Sequence, residues 1–66
     1  MQIYINREVV EANPKLNLEE ILEAQGFPKQ GIAVAIENKV VPRAAWTTTY
    51  LREGAMLTVI SAVCGG

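Results

Sequence analysis

Sixty-six residues, half of them hydrophobic, carry a net charge of −1 and a single cysteine, which bounds the chain to one small domain near the lower size limit for a core without covalent staples. One Cys excludes an internal disulfide and a multi-cysteine metal site, and the absence of His removes the usual general base and the commonest zinc ligand. There is no basic cluster to attract nucleic acid, no apolar run near the ~20 residues that span a bilayer, and no charged-then-apolar signal plan at the N-terminus, so a small soluble cytoplasmic protein is expected.

From Gln2 to Asn6 the chain alternates, placing Ile3 and Ile5 on one face and Gln2 and Tyr4 on the other. Asn6-Arg7 reads as a two-residue turn, since Asn tolerates positive φ, and Glu8 to Ala12 returns as a short strand centred on Val9 and Val10. Asn13-Pro14-Lys15 breaks this pattern. A helix start follows, with Asn17 as N-cap, Glu20 as its capping-box partner, and Leu16 and Ile21 in the two staple positions. Leu18, Ile21 and Leu22 share one helical face, while Glu19 and Glu20 sit favourably at the positive end of the helix dipole. Gly26 near C′ ends the helix and Pro28 prevents its resumption. So short a helix needs packing on a sheet to persist.

Ile32 to Ile36 is apolar on both faces, the pattern of a central strand covered on at least one side. Glu37 to Val40 reads as a second turn, returning through Val40 and Val41, and Pro42 ends that strand or marks a sheet edge. Arg43 to Arg52 shows no clear period and reads as a long connection anchored by Trp46, Tyr50 and Leu51. Glu53-Gly54 then turns the chain into a last strand, Met56 to Val63. The order hairpin, helix, hairpin, loop, strand predicts an α+β fold: a mixed sheet of about five strands with one main helix packed on one face. With the last strand inserted beside the first, this is the β-grasp, or ubiquitin-like, arrangement. Residues 1–63 are expected to form the domain and residues 64–66 a flexible tail.

Nothing about folding asks for Gly65-Gly66 at the end of the chain. Two glycines make a thin thread tipped by a carboxylate that is ionised at neutral pH, able to enter a channel where a bulkier tail would clash. At about 3.3–3.6 Å per residue, the positions from Val63 onward reach roughly 13 Å. If Leu57 and Val59 face the helix, then Thr58, Ile60 and Ala62 face away from it beside Ala33 and Ala35, giving an apolar docking surface. The opposite register would put Ile60 in the core. Cys64 reads as a small apolar filler, because ring closure by its thiol onto Gly66 would be strained. Pro42, Arg43 and Trp46 read as a turn with an aromatic plug, Arg43 being a surface charge or a partner contact.

Three pieces carry a family likeness: Met1-Gln2-Ile3 with the Asn6 turn, Val41-Pro42-Arg43 followed by Trp46, and the Gly65-Gly66 ending. Over essentially its whole length the chain resembles the ThiS family of sulfur-carrier proteins from thiamin biosynthesis. It departs at Ala55, where the family commonly has Asp, and at Cys64, where Ala is more usual. The resemblance implies a co-substrate of other enzymes rather than an enzyme. Its Gly66 carboxylate would be adenylated by an E1-like, ThiF-type enzyme and converted to a thiocarboxylate with sulfur from a donor such as a cysteine desulfurase. A ThiG-type thiazole synthase would then take up the sulfur. Gly65, Cys64, Ile60, Ala62 and Arg43 are the candidate partner contacts. No stably bound cofactor is implied, ATP being used by the activating partner, and neither nucleic acid nor membrane is an expected partner. The alternatives are a related carrier serving molybdopterin or tRNA, a ubiquitin-like modifier joined to lysines, and a β-grasp interaction domain with an inert tail.

Overall fold

An alternating strand opens the first of two hairpins and a wholly apolar one the second, and both close through left-handed turns. The computed structural model describes residues 1–28 and 30–61. Strands β1 (Gln2–Ile5) and β2 (Glu8–Glu11) are joined by Asn6 and Arg7 at φ 51° and 73°. Strands β3 (Ile32–Ile36) and β4 (Lys39–Val41) are joined by Glu37 and Asn38 at φ 51° and 70°. Positive φ at both central residues matches the right-handed twist of the flanking strands. The second turn is therefore two residues long, and β4 begins at Lys39, inside the stretch the sequence assigned to the turn.

The helix α1 (Leu18–Ala24) starts as its sequence dictates. Asn17 Oδ1 accepts the Glu20 N–H at 2.8 Å, and the Glu20 carboxylate accepts the Asn17 N–H at 3.0 Å, completing the capping box. At the other end Gly26, at φ 87°, closes a Schellman motif: its N–H donates to the Glu23 carbonyl and the Phe27 N–H to the Leu22 carbonyl, each at 3.0 Å.

Strand β5 (Met56–Ser61) lies at the centre of a five-stranded sheet of order β2-β1-β5-β3-β4, parallel to β1 and antiparallel to β3. This is the expected β-grasp arrangement. One face is dry: Ile3, Ile5, Val34, Leu57 and Val59 meet Leu18, Ile21 and Leu22 of α1, with Trp46 and Leu51 completing the cluster. Ala55 is buried in the same cluster.

The connection after Pro42 is more ordered than its sequence suggests. Arg43–Thr48 winds into a 3₁₀ turn, η1, whose three-residue repeat carries one large apolar side chain and so leaves no amphipathic signature. Trp46 is buried, and its indole Nε1–H donates to the Val41 carbonyl at 3.0 Å. The Thr48 and Thr49 hydroxyls donate back to the Ala45 carbonyl, and the Leu18 N–H donates to the Thr49 carbonyl at 2.8 Å, tying η1 to the start of α1. Of the three expected anchors Trp46 and Leu51 are buried, but Tyr50 is not an anchor: its backbone bridges to Asn17 and its side chain is exposed.

Asn17 thus serves two elements, since its Nδ2 also donates to the Thr47 carbonyl at 3.3 Å. Loss of such a cap costs about 1 kcal/mol, or about 4–8 °C in a domain this small. Asn17→Ala is expected to lower the calorimetric Tm by that amount, and an unchanged Tm would show that α1 holds without its cap.

Candidate functional site

The helix covers only one side of the sheet. On the other, register brings the outward side chains together: Tyr4 lies between Val9 of β2 and Met56 of β5, Ala35 between Thr58 of β5 and Val40 of β4, and Ala33 beside Ile60. Ile60 is 60% exposed and Met56 52%, whereas Leu57 and Val59, alternating with them, are 2% and 8% exposed. The strand therefore faces as the first of the two registers predicts. Ala33 and Ala35 raise no wall beside Ile60, so this part of the face is low and open to a broad surface.

Four members of the patch escaped sequence reasoning: Tyr4, Val9, Met56 and Val40. Alternation within each strand assigned Tyr4 to the side opposite Ile3, but only the strand order places these residues beside Thr58 and Ile60. A depression of about 400 Å³ opens on the same side, lined by Tyr4, Met56 and Thr58 together with Arg7 and Glu37, one charge from each hairpin turn. The Glu37 carboxylate also accepts the Met56 N–H at 3.0 Å, extending the hold of the second turn on β5.

Arg43 lies elsewhere. Its guanidinium carbon sits 5.1 Å from the centroid of the Trp46 ring, a cation–π contact on η1, which packs against α1. The structure brings Arg43 to the aromatic plug and not to Ile60. Ala62, Cys64, Gly65 and Gly66, and the end of the predicted last strand at Val63, lie outside the described residues. Among the described residues no group of three His, Cys, Asp or Glu side chains is placed to hold a metal, and no helix is long and apolar enough to cross a membrane.

Comparison with known proteins places the chain in a family. The ThiS family model matches residues 2–66. The chain belongs to the ThiS family. A curated ThiS-family relative, the sulfur carrier protein ThiS of Escherichia coli (strain K12), is 27% identical over 66 residues, covering 100% of both chains. The crystal structure of a thiamine biosynthesis protein (ThiS) from Geobacter metallireducens superposes with a TM-score of 0.81 at 23% identity, over 100% of both chains. A solution structure of a thiamine biosynthesis protein from the same organism gives 0.77 at 22% identity, over 100% of this chain and 88% of the other. These two superpositions establish the shared fold of the ThiS chains.

The two faces of β5 give a paired stability test. Leu57→Ala empties a core position and is expected to cost about 2–5 kcal/mol, whereas Ile60→Ala should stay within about 0.5 kcal/mol of the parent. Chemical denaturation measures both. Equal losses would mean that Ile60 is packed.

Proposed function

We propose that this ThiS-family chain is a sulfur carrier for thiamin biosynthesis, acting as a co-substrate of other enzymes in the cytoplasm. The observation that carries the reading is the exposed apolar face lying along β5, the strand whose chain runs on to Gly65-Gly66. The E. coli relative of full length is itself a sulfur carrier protein.

In this reading the face is gripped and the chain end reacts. A free carboxylate is a poor electrophile, because its charge is delocalised and oxide is a poor leaving group. A ThiF-type enzyme supplies ATP, the Gly66 carboxylate attacks the α-phosphorus, and pyrophosphate leaves. The terminal sulfur of a persulfide, delivered from a cysteine desulfurase, then attacks the acyl carbon of the adenylate; AMP leaves and an acyl disulfide forms. Cleavage of the acyl disulfide by a second thiol leaves a thiocarboxylate on Gly66 and a disulfide on the donor side. A ThiG-type thiazole synthase takes this sulfur into the thiazole ring. Gly66 is the attachment point in this reading because its carboxyl is borne on a thread without side chains, which a narrow channel admits. Gly65 and Cys64 lie within the partner's channel, and Ile60 and Ala62 lie at its mouth. Arg43 is a further contact at the η1 corner.

Intact-mass measurement tests the chemistry. Incubation with a ThiF-type enzyme, ATP and a sulfur donor should produce an oxygen-to-sulfur mass gain that disappears when Gly66 is deleted. No mass change would overturn the proposal, and Gly66-linked lysine adducts would identify a modifier instead.

Docking is tested separately. Placing a charge on the patch with Ile60→Glu should raise KM for the activating enzyme at least about tenfold, as losing a hot-spot contact worth about 1.4 kcal/mol would. An unchanged KM would move the docking surface elsewhere.

A further inference from the structure

Strand β5 outlasts its neighbour on one side. Its parallel ladder with β1 ends at the Ile5–Leu57 pair, because the chain turns away at Asn6, whereas pairing with β3 continues to Ile32–Ser61. The Leu57 carbonyl still meets the Asn6 N–H at 2.9 Å. Two residues further along β5, the Asn6 side chain replaces the missing strand. Its Oδ1 accepts the Val59 N–H at 2.8 Å and its Nδ2 donates to the Val59 carbonyl at 3.1 Å. A carboxamide offers one acceptor and a donor side by side, the pair that a neighbouring backbone would present. Aspartate has no donor, and glutamine is longer by a methylene. Asn6 is itself held in the left-handed region at φ 51°, which Asn adopts more readily than most residues, so the turn and the clamp ask for the same side chain.

We propose that Asn6 is a positioning residue for the chemistry at Gly66, clamping β5 at Val59 so that the segment leading to Gly66 starts from a fixed base. This rests on the sulfur-carrier reading. Both backbone groups of Val59 are taken by Asn6 on the β1 edge, while on the other edge Val34 of β3 stands opposite it. Ile60, next in the chain, carries a docking side chain, and residues 62–66 lead from Ser61 to the reacting carboxylate. Without the clamp, Val59–Ser61 is hinged on β3 alone. In the proposed function the Gly66 carboxylate must meet a fixed point on the enzyme, so a loosened base lowers the share of bound chains that present it there, and a misplacement of about 1 Å at a reacting centre can cost about 10²-fold in rate. No apolar side chain of the docking face is removed, and Ile60 keeps its pairing with Ala33 of β3, so the loss falls on turnover more than on binding.

The test uses the full chain and the activating enzyme, with ATP–pyrophosphate exchange as the readout. Asn6→Ala and Asn6→Asp are both expected to lower kcat at least about tenfold with KM within about twofold, since both remove the donor to Val59 and geometry sets the turnover of a bound substrate. Nitrogen-15 relaxation on the isolated variants should show added motion at the Val59, Ile60 and Ser61 amides. Asn17→Ala, which lowers Tm through the cap of α1 and makes no bond to β5, is the control and should leave kcat unaltered. Wild-type kcat in both Asn6 variants, or an equal fall in the Asn17→Ala control, overturns the proposal. Failure of the wild-type chain to be adenylated counts against the sulfur-carrier reading itself. The relaxation data then stand alone, and unchanged amides in both Asn6 variants overturn the clamp.

Discussion

A five-stranded sheet has two faces, and this chain has helix enough to cover one. The seven residues of α1 are fewer than the roughly 12–15 that give an isolated helix marginal stability, so α1 exists by burying Leu18, Ile21 and Leu22 on the sheet. Asn17 and Gly26 fix where it begins and ends, and Trp46 on η1 completes the cluster beneath it on the same face of the sheet. At about 0.05–0.15 kcal/mol per residue a domain of this size has roughly 3–10 kcal/mol in hand. A cap of about 1 kcal/mol, or a buried tryptophan whose truncation costs about 3–5, is a large share of that.

The uncovered face is where the same limit becomes useful. Tyr4, Val9, Met56, Ile60 and Val40 stand exposed on one side of a rigid sheet, with small residues on β3 between them. A folded body that is dry within and apolar on one flat side can be recognised by shape and desolvation, and the proposed function assigns the reacting group to the end of the chain. In the proposed function the two roles are divided along a single strand: β5 contributes Leu57 and Val59 to the core, Ile60 to the docking face, and then leads to Gly66. Asn6 stands where these roles meet.

Much of the fold was legible because local signals agreed with one another. The capping box at Asn17, the glycine at position 26 and the alternation around Ile3 and Ile5 each named their element and its boundary, and together they named the strand order. The orientation of β5 was legible as a choice between two registers, which the structure resolves through Val34 and Val59 facing inward together. What escaped was not local. A 3₁₀ turn with one buried tryptophan has no periodic stripe, so Arg43–Thr48 read as loop and Tyr50 was mistaken for an anchor. The patch members on β1, β2 and β4 became neighbours of Ile60 only through pairing. The two bonds of Asn6 to Val59 join residues 53 apart in sequence and had no signal in either segment.

The central claim is that partners hold this protein by the sheet face opposite α1. Amide chemical-shift mapping of the labelled chain, titrated with a ThiF-type enzyme without ATP, tests it most directly. The account predicts perturbations concentrated at Tyr4, Ala33, Ala35, Met56 and Ile60, with Glu19, Glu23 and the rest of the solvent side of α1 unmoved. Perturbations centred on α1, with the outer face silent, would contradict it.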